Sequence, residues 1–132
     1  MIDHLSSYAT DFEATRRFYD AVLGSLGYAV RFEMEMSWDT ELPGRKACAF
    51  GPEGRSIFWV IQVRDAVSPR HVAFTARDRA RVDSFHRAAL EAGGTDNGPP
   101  GLRPIYHEHY YGAFVLDPDG NNVEAVCHAP EG

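Results

Sequence analysis

The sequence has few of the features that mark membrane, secreted or nucleic-acid-binding proteins. Its 132 residues contain no apolar run near the roughly 20 residues that span a bilayer. The first residues, MIDHLSSYATDFE, lack the basic region and apolar stretch of a signal peptide. Lysine and arginine total 13 against 19 acidic residues, and no stretch gathers the basic residues into a stripe that could neutralise a phosphate backbone. We therefore expect a cytoplasmic protein with no membrane and no nucleic acid among its partners.

Cysteine is also scarce. Cys48 and Cys127 are isolated, without the paired spacing of a zinc knuckle or a redox motif, so we interpret both as small apolar residues of the interior. The length and a hydrophobic fraction of 44% suit one ordinary core. The sequence predicts a single domain over residues 1–132.

What the sequence does contain is an internal repeat. Five pairs of identical residues are separated by 67 positions: His4 and His71, Asp11 and Asp78, Phe18 and Phe85, Leu23 and Leu90, Gly27 and Gly94. Near the end of each half the interval slips to 66, where AFGPEG matches VLDPDG. The repeat predicts two copies of one module, over residues 1–66 and 67–132.

Each copy shows the same order of secondary-structure signals. A short strand, at residues 2–8 and 71–75, runs into a helix with apolar positions every three and four residues, and glycine ends the helix. Extended stretches joined by GPEG or DPDGN follow, which indicates hairpins. The Gly/Pro-rich passage 91–104 has the composition of an interdomain linker, but we favour a helix end followed by an irregular edge strand, which explains the same residues. The fold class expected is α+β, with two paired βαβββ modules sharing a concave surface.

Three residues form a candidate metal site on that surface. His4 and His71 head the first strands of the two modules, and Glu124 lies in the middle of a predicted strand among apolar neighbours. A carboxylate there is costly unless it is paired or bound to a cation. Two imidazoles and one carboxylate with open coordination positions suit a divalent transition metal such as Fe, Mn, Zn or Ni. The alternative is that each histidine is an ordinary hydrogen-bonded strand residue.

The last hairpin suggests residues that could move a proton. A four-residue DPDG loop would place Ala113 opposite Glu124, and Tyr111 and His109 would then share the face of the metal. Either side chain could exchange a proton with a chelated enolate or catecholate. The alternative is an aromatic edge strand over residues 105–111 with exposed histidines, His107 among them.

The chain resembles the vicinal oxygen chelate superfamily, which contains the glyoxalases, bleomycin-resistance proteins and extradiol dioxygenases. The resemblance rests on His4, the helix motif over 11–28, His71 and the segment YYGAFVLDPDGNNVEAV over 110–126. It implies that the paired modules form a U-shaped mixed sheet around a divalent metal. It also implies a small-molecule substrate that chelates the metal through two adjacent oxygens.

One departure from the family pattern concerns the number of ligands. Sites like that of glyoxalase I take four protein ligands, and the interval of 66 makes Phe58 the counterpart of Glu124, which cannot bind a metal. The resemblance therefore implies a metal-dependent lyase or isomerase with His4, His71 and Glu124 as ligands and Glu124, Tyr111 and His109 as catalytic candidates. An extradiol-type dioxygenase and a metal-free, bleomycin-resistance-like binding protein are the alternatives. We expect a homodimer, and the sequence leaves open whether modules pair within or between chains.

Overall fold

Two modules with the same order of elements follow one another along the chain, except that one strand of the first is matched by two short strands in the second. The computed structural model describes residues 1–131. The first module contains β1 (Leu5–Ala9), α1 (Phe12–Gly24), β2 (Ala29–Met36), β3 (Arg45–Gly51) and β4 (Phe58–Gln62). The second contains β5 (His71–Thr75), α2 (Arg79–Glu91), β6 (Thr95–Asp96), β7 (Gly101–Leu102), β8 (Tyr111–Leu116) and β9 (Asn122–Cys127). The α+β class and the doubled βαβββ order predicted from the repeat are confirmed.

Each module folds into its own mixed sheet. The strand orders are β1-β4-β3-β2 and β5-β9-β8-β6, with β7 also paired to β8. The first strand of each module runs parallel to the last, and the remaining pairs are antiparallel. The Gly/Pro-rich passage forms the irregular edge, because β6 and β7 are two-residue strands that share β8 as their partner.

Both helices begin at residues that the repeat pairs. The side chain of Asp11 accepts a hydrogen bond from the backbone N–H of Ala14 at 3.1 Å. Asp78 accepts one from Arg81 at 2.8 Å. An N-cap of this kind satisfies a backbone donor that the helix itself leaves free and contributes about 1 kcal/mol. The 67-residue interval therefore corresponds to one structural device used twice.

The core lies between each sheet and its helix. Fully buried side chains from α1 and α2 meet those on the inward faces of the strands. The largest are Tyr19, Phe18, Leu23 and Phe85 from the helices, and Phe50 and Phe58 from the strands. Removing one such side chain from water contributes roughly 1.5–3 kcal/mol. The rings of Phe58 and Phe74 meet at 5.3 Å across the two modules, so the cores are continuous.

The hairpin between β8 and β9 has a loop of three residues. Asp117 N donates to the carbonyl of Asn121, which leaves residues 118–120 as the loop, with Gly120 at φ +84°. A residue in this left-handed conformation after a turn is the usual third residue of such a loop, and it suits glycine. Glu124 consequently pairs with Phe114 rather than Ala113. The register predicted from a four-residue loop was wrong by one position.

Candidate metal-ligating site

The side chains that the structure brings together lie on the face of the second sheet turned away from α2, which we call the open face. It carries His71 from β5, Glu124 from β9 and Phe114 from β8. Parallel pairing of β5 with β9 places Ala73 beside Glu124, and His71 is one pleat away on the same side. His71 Nε2 lies 3.0 Å from Glu124 Oε1. The sequence prediction that these two residues share a face agrees with this geometry.

Glu124 is a buried acid held from two sides. Its side chain is only 2% exposed, and Oε2 accepts a hydrogen bond from the hydroxyl of Tyr110. A Cβ at Gly112 would lie 3.3 Å from Oε2 and 3.2 Å from the Tyr110 ring, so the glycine provides the room in which the two groups meet. Burying a carboxylate is costly without such partners.

The backbone fixes the tautomer of His71. Its Nδ1 lies 3.0 Å from the carbonyl oxygen of Asn122, and a carbonyl can only accept, so Nδ1 carries the proton. In the neutral imidazole Nε2 then carries a lone pair and can bind a cation or accept a hydrogen bond. Metal-binding histidines are commonly oriented in this way by a hydrogen bond from the second ring nitrogen. The ring of Phe114 stacks on the imidazole at 6.2 Å and limits its rotation.

The spacing and chemistry of His71 Nε2 and Glu124 Oε1 fit two ligands of one metal ion. Nε2 and Oε1 are both acceptors when the imidazole is neutral and the carboxylate ionised, so a separation of 3.0 Å requires a proton or a cation between them. Two ligands at right angles on a first-row metal, each about 2.1 Å from it, would be about 3 Å apart. An imidazole nitrogen and a carboxylate oxygen are also donors that such metals accept.

His4 does not join this pair. It precedes β1, whose first residue is Leu5, and its exposed ring bonds through Nδ1 to Asp3 at 2.7 Å. Residues 1–131 contain no group of three or more His, Cys, Asp or Glu side chains close enough to hold a metal. The strand expected over residues 2–8 begins at Leu5, three residues after the predicted start, because residues 1–4 have no strand partner.

Tyr111 and His109 lie outside the pair as well. The one-residue change of register turns Tyr111 toward α2, where its hydroxyl donates to Asp83 at 2.7 Å and Arg79 stacks on its ring. The bond to Asp83 and partial burial raise the pKa of Tyr111 to about 12. His109 Nε2 is 3.4 Å from Glu108. The expectation that Tyr111 shares the face of Glu124 is therefore wrong, and His109 precedes β8 and bonds to its neighbour rather than to Glu124.

Tyr110 is the residue that sequence reasoning missed. Burial and the hydrogen bond to Glu124 raise its pKa above the usual range of a phenol. Its ring lies 4.8 Å from Tyr106, 5.5 Å from His107 and 5.2 Å from His128. The signal that could have found it is the alternation of strand faces, given a three-residue loop: residues 110, 112 and 114 then share the side of Glu124.

The first module offers no second carboxylate. Ser6 pairs with Trp59 as Ala73 pairs with Glu124, so Trp59 and not Phe58 is the structural counterpart of Glu124. The paired residues of the β3–β4 hairpin, Ala49 and Trp59, are as far apart in sequence as Phe114 and Glu124 of the β8–β9 hairpin, so the change of the repeat interval arises before β3. Trp59 packs edge to face on Phe32 at 5.7 Å. An indole cannot bind the metal. The first module therefore supplies no ligand at this position, as expected, although the residue there is Trp59 and not Phe58.

Neither helix of residues 1–131 is long and apolar enough to cross a membrane. A comparison with curated proteins finds no match.

The fold is shared with several solved structures. A glyoxalase/bleomycin resistance protein from Albidiferax ferrireducens is 25% identical, with a TM-score of 0.73 over 97% of this chain and 98% of that one. A lactoylglutathione lyase from Agrobacterium tumefaciens is 23% identical, with a TM-score of 0.66 over 96% and 92%. A glyoxalase I mutant from Zea mays is 19% identical, with a TM-score of 0.71 over 95% of this chain and 46% of that one.

A family model extends the likeness from fold to sequence. It matches residues 1–125, which include the first module, most of the second, and the pair formed by His71 and Glu124. The chain belongs to the Glyoxalase/Bleomycin resistance protein/Dioxygenase superfamily.

Proposed function

We propose that the protein is a metal-dependent lyase or isomerase of the glyoxalase type, acting on a small substrate that chelates a divalent metal through two adjacent oxygens. The observation that carries the proposal is the contact between His71 Nε2 and Glu124 Oε1, with Nδ1 fixed by Asn122. Membership of the superfamily and glyoxalase-like fold neighbours support it. The metal is Fe, Mn, Zn or Ni.

The residues of the site divide the chemistry between them. His71 and Glu124 would hold the metal, which as a Lewis acid would stabilise negative charge on the chelated oxygens. Glu124 is also the proposed general base: Oε2, the oxygen that would not bind the metal, would take a proton from the carbon beside the chelated oxygens and return it to the neighbouring carbon. Tyr110 keeps this carboxylate oxygen in place. Phe114 lines the site beside the ring of His71.

His4 is proposed as the third ligand, supplied between chains in a homodimer. In this arrangement the first module of one copy faces the second module of the other. Mixing two inactive variants tests it: His4→Ala alone and Glu124→Gln alone lack complete sites, whereas a mixed dimer contains one intact site. Recovery of about a quarter of wild-type activity on mixing supports pairing between chains. No recovery from dimers shown to have exchanged subunits contradicts it.

Metal analysis of protein purified without a histidine tag tests the function. The wild type is expected to bind one equivalent of a first-row metal, and His71→Ala and Glu124→Gln to lose it. His86→Gln is the matched control, because His86 bonds to Asp96 away from the open face. Equal metal content in all four proteins, or none in the wild type after loading, would exclude the proposal.

A metal-free binding protein is the second candidate. The aromatic pair of Phe32, which is 49% exposed, and Trp59 favours it, because such a wall suits a flat organic ligand. A ligand that binds with equal affinity to the wild type and to Glu124→Gln, in the presence of a chelator, would favour this candidate over the enzyme.

A further inference from the structure

Arg103 occupies an unusual place at the edge of the open face. It follows β7, and its guanidinium carbon lies 5.4 Å from the centre of the Phe114 ring. Phe114 is the cross-strand partner of Glu124 and stacks on His71. One aromatic ring therefore separates the positive charge of Arg103 from the two proposed ligands.

The Gly/Pro-rich passage is built around this guanidinium. Nη1 donates to the carbonyl of Gly101 at 2.9 Å and Nη2 to that of Pro99 at 2.7 Å. A Cβ at Gly98 would lie 3.3 Å from Nη2, and one at Gly101 would lie 3.2 Å from Nη1. The glycines leave the space that the guanidinium fills, and the carbonyls fix its orientation. The unusual composition of the passage thus has a local reason.

The charge so fixed has no acidic partner. The Lys and Arg ion pairs of residues 1–131 involve Arg16, Arg45, Lys46, Arg77 and Arg79. Of the five N–H groups of the Arg103 guanidinium, two have carbonyl acceptors and the other three have none among the described residues. In a chain of formal charge −6, an oriented and unpaired arginine on the open face is available to an external anion.

The spacing indicates the kind of anion. Side chains directly opposite each other on antiparallel strands have Cβ atoms about 5 Å apart. With the ring of Phe114 between them, the guanidinium and the Glu124 carboxylate are on the order of 10 Å apart. A small molecule bound at one end by two adjacent oxygens would place a group four or five atoms away beside Arg103.

We propose that Arg103 is the anion-binding residue of this site and that the substrate carries a carboxylate at the end opposite its chelating oxygens. The chelating end rests on the proposed function, whereas the binding of a carboxylate by Arg103 does not. Arg103 thereby selects among chelating molecules by their far end.

The anion site is tested first without metal. Glutarate, which lacks the chelating oxo group, is titrated into metal-free protein while the arginine Nε–H signals are followed by NMR. The Arg103 signal is expected to shift and saturate. That of Arg17, an arginine of α1 whose side chain has no hydrogen bond or ion pair among the described residues, is expected to stay in place. Assignment comes from Arg103→Lys and Arg17→Lys. An Arg103 signal that does not move overturns the proposal, whatever the metal content.

The substrate class is tested on zinc-loaded protein by calorimetry. The probes are 2-oxoglutarate and 2-oxopentanoate, which share the chelating end and differ in the far carboxylate. The wild type and Arg17→Gln are expected to bind 2-oxoglutarate about tenfold more tightly than 2-oxopentanoate. Arg103→Gln is expected to bind both probes with the affinity that the wild type has for 2-oxopentanoate. Equal affinity of the wild type for the two probes, or a preference that survives in Arg103→Gln, overturns the substrate class. A failure to load zinc instead refutes the proposed function and leaves the NMR result to decide on Arg103. Circular dichroism confirms that Arg103→Gln is folded.

Discussion

The hydroxyl of Tyr110 donates to Oε2 of Glu124, while His71 faces the other oxygen of the same carboxylate. This bond determines which oxygen is directed toward the imidazole. Tyr110 is therefore a positioning residue for the proposed metal site: it acts through Glu124, the one proposed ligand to which it is hydrogen-bonded.

Tyr110→Phe should weaken metal binding by about tenfold or more, because loss of a residue that orients a ligand typically costs 10- to 100-fold in affinity. Titration of the metal-free protein with zinc measures the effect. Tyr106→Phe is the control, because Tyr106 stacks on Tyr110 but its hydroxyl is not bonded to the carboxylate. Unchanged zinc affinity in Tyr110→Phe would show that the bond is purely structural.

Tyr111→Phe should lower stability without changing zinc affinity, in contrast to Tyr110→Phe. It removes the bond to Asp83 on the helix side, so unfolding in urea should require roughly 1 kcal/mol less free energy. Zinc affinity should stay at the wild-type value. A loss of zinc binding here would restore the register in which Tyr111 faces Glu124.

Gly120→Ala should destabilise the protein by about 1 kcal/mol or more, because an L side chain is strained at φ +84° even though nothing lies within 4 Å of the added Cβ. Gly24→Ala is the matched control. Its added Cβ also meets nothing, but Gly24 lies in α1 without a positive φ, so alanine should stabilise by a few tenths to 1 kcal/mol. Equal effects at both positions would contradict the three-residue loop.

Stability should fall at alkaline pH partly through Tyr19. Burial, followed by the charge of Asp117, raises the pKa of Tyr19 well above its usual value, and its hydroxyl donates to Asp117 at 2.6 Å. The unfolded chain releases this proton near pH 10 and the folded chain does not. The contribution is thus complete below pH 10 and is lost above it by up to about 1.4 kcal/mol per pH unit. Urea unfolding of Tyr19→Phe between pH 9 and 11 should give a shallower decline; an identical slope would exclude this origin.

The sequence was sufficient for the fold because the repeat is carried by residues with structural tasks. Asp11 and Asp78 cap the helices, and Phe18 and Phe85 fill equivalent core positions. Strand alternation and the cost of a buried acid also placed Glu124 on the same side as His71.

The rest of the site depended on details that local patterns do not contain. One residue of loop length decided between Tyr110 and Tyr111, because side chains alternate faces along a strand. Gly120 in a left-handed conformation, supported by Asp117, set that length. The position of His4 depends on residues 1–4, which lie outside any strand, so symmetry with His71 could not locate its ring.

Trp59 and Glu124 hold equivalent positions in the two modules, on faces that point away from the helices. A substitution at either one changes a side chain on the face opposite the helix, outside the core between helix and sheet. After duplication, one half of such a molecule can keep a buried acid while the other carries an aromatic side chain at the same position. New specificities could therefore arise in this architecture by changing the first module alone.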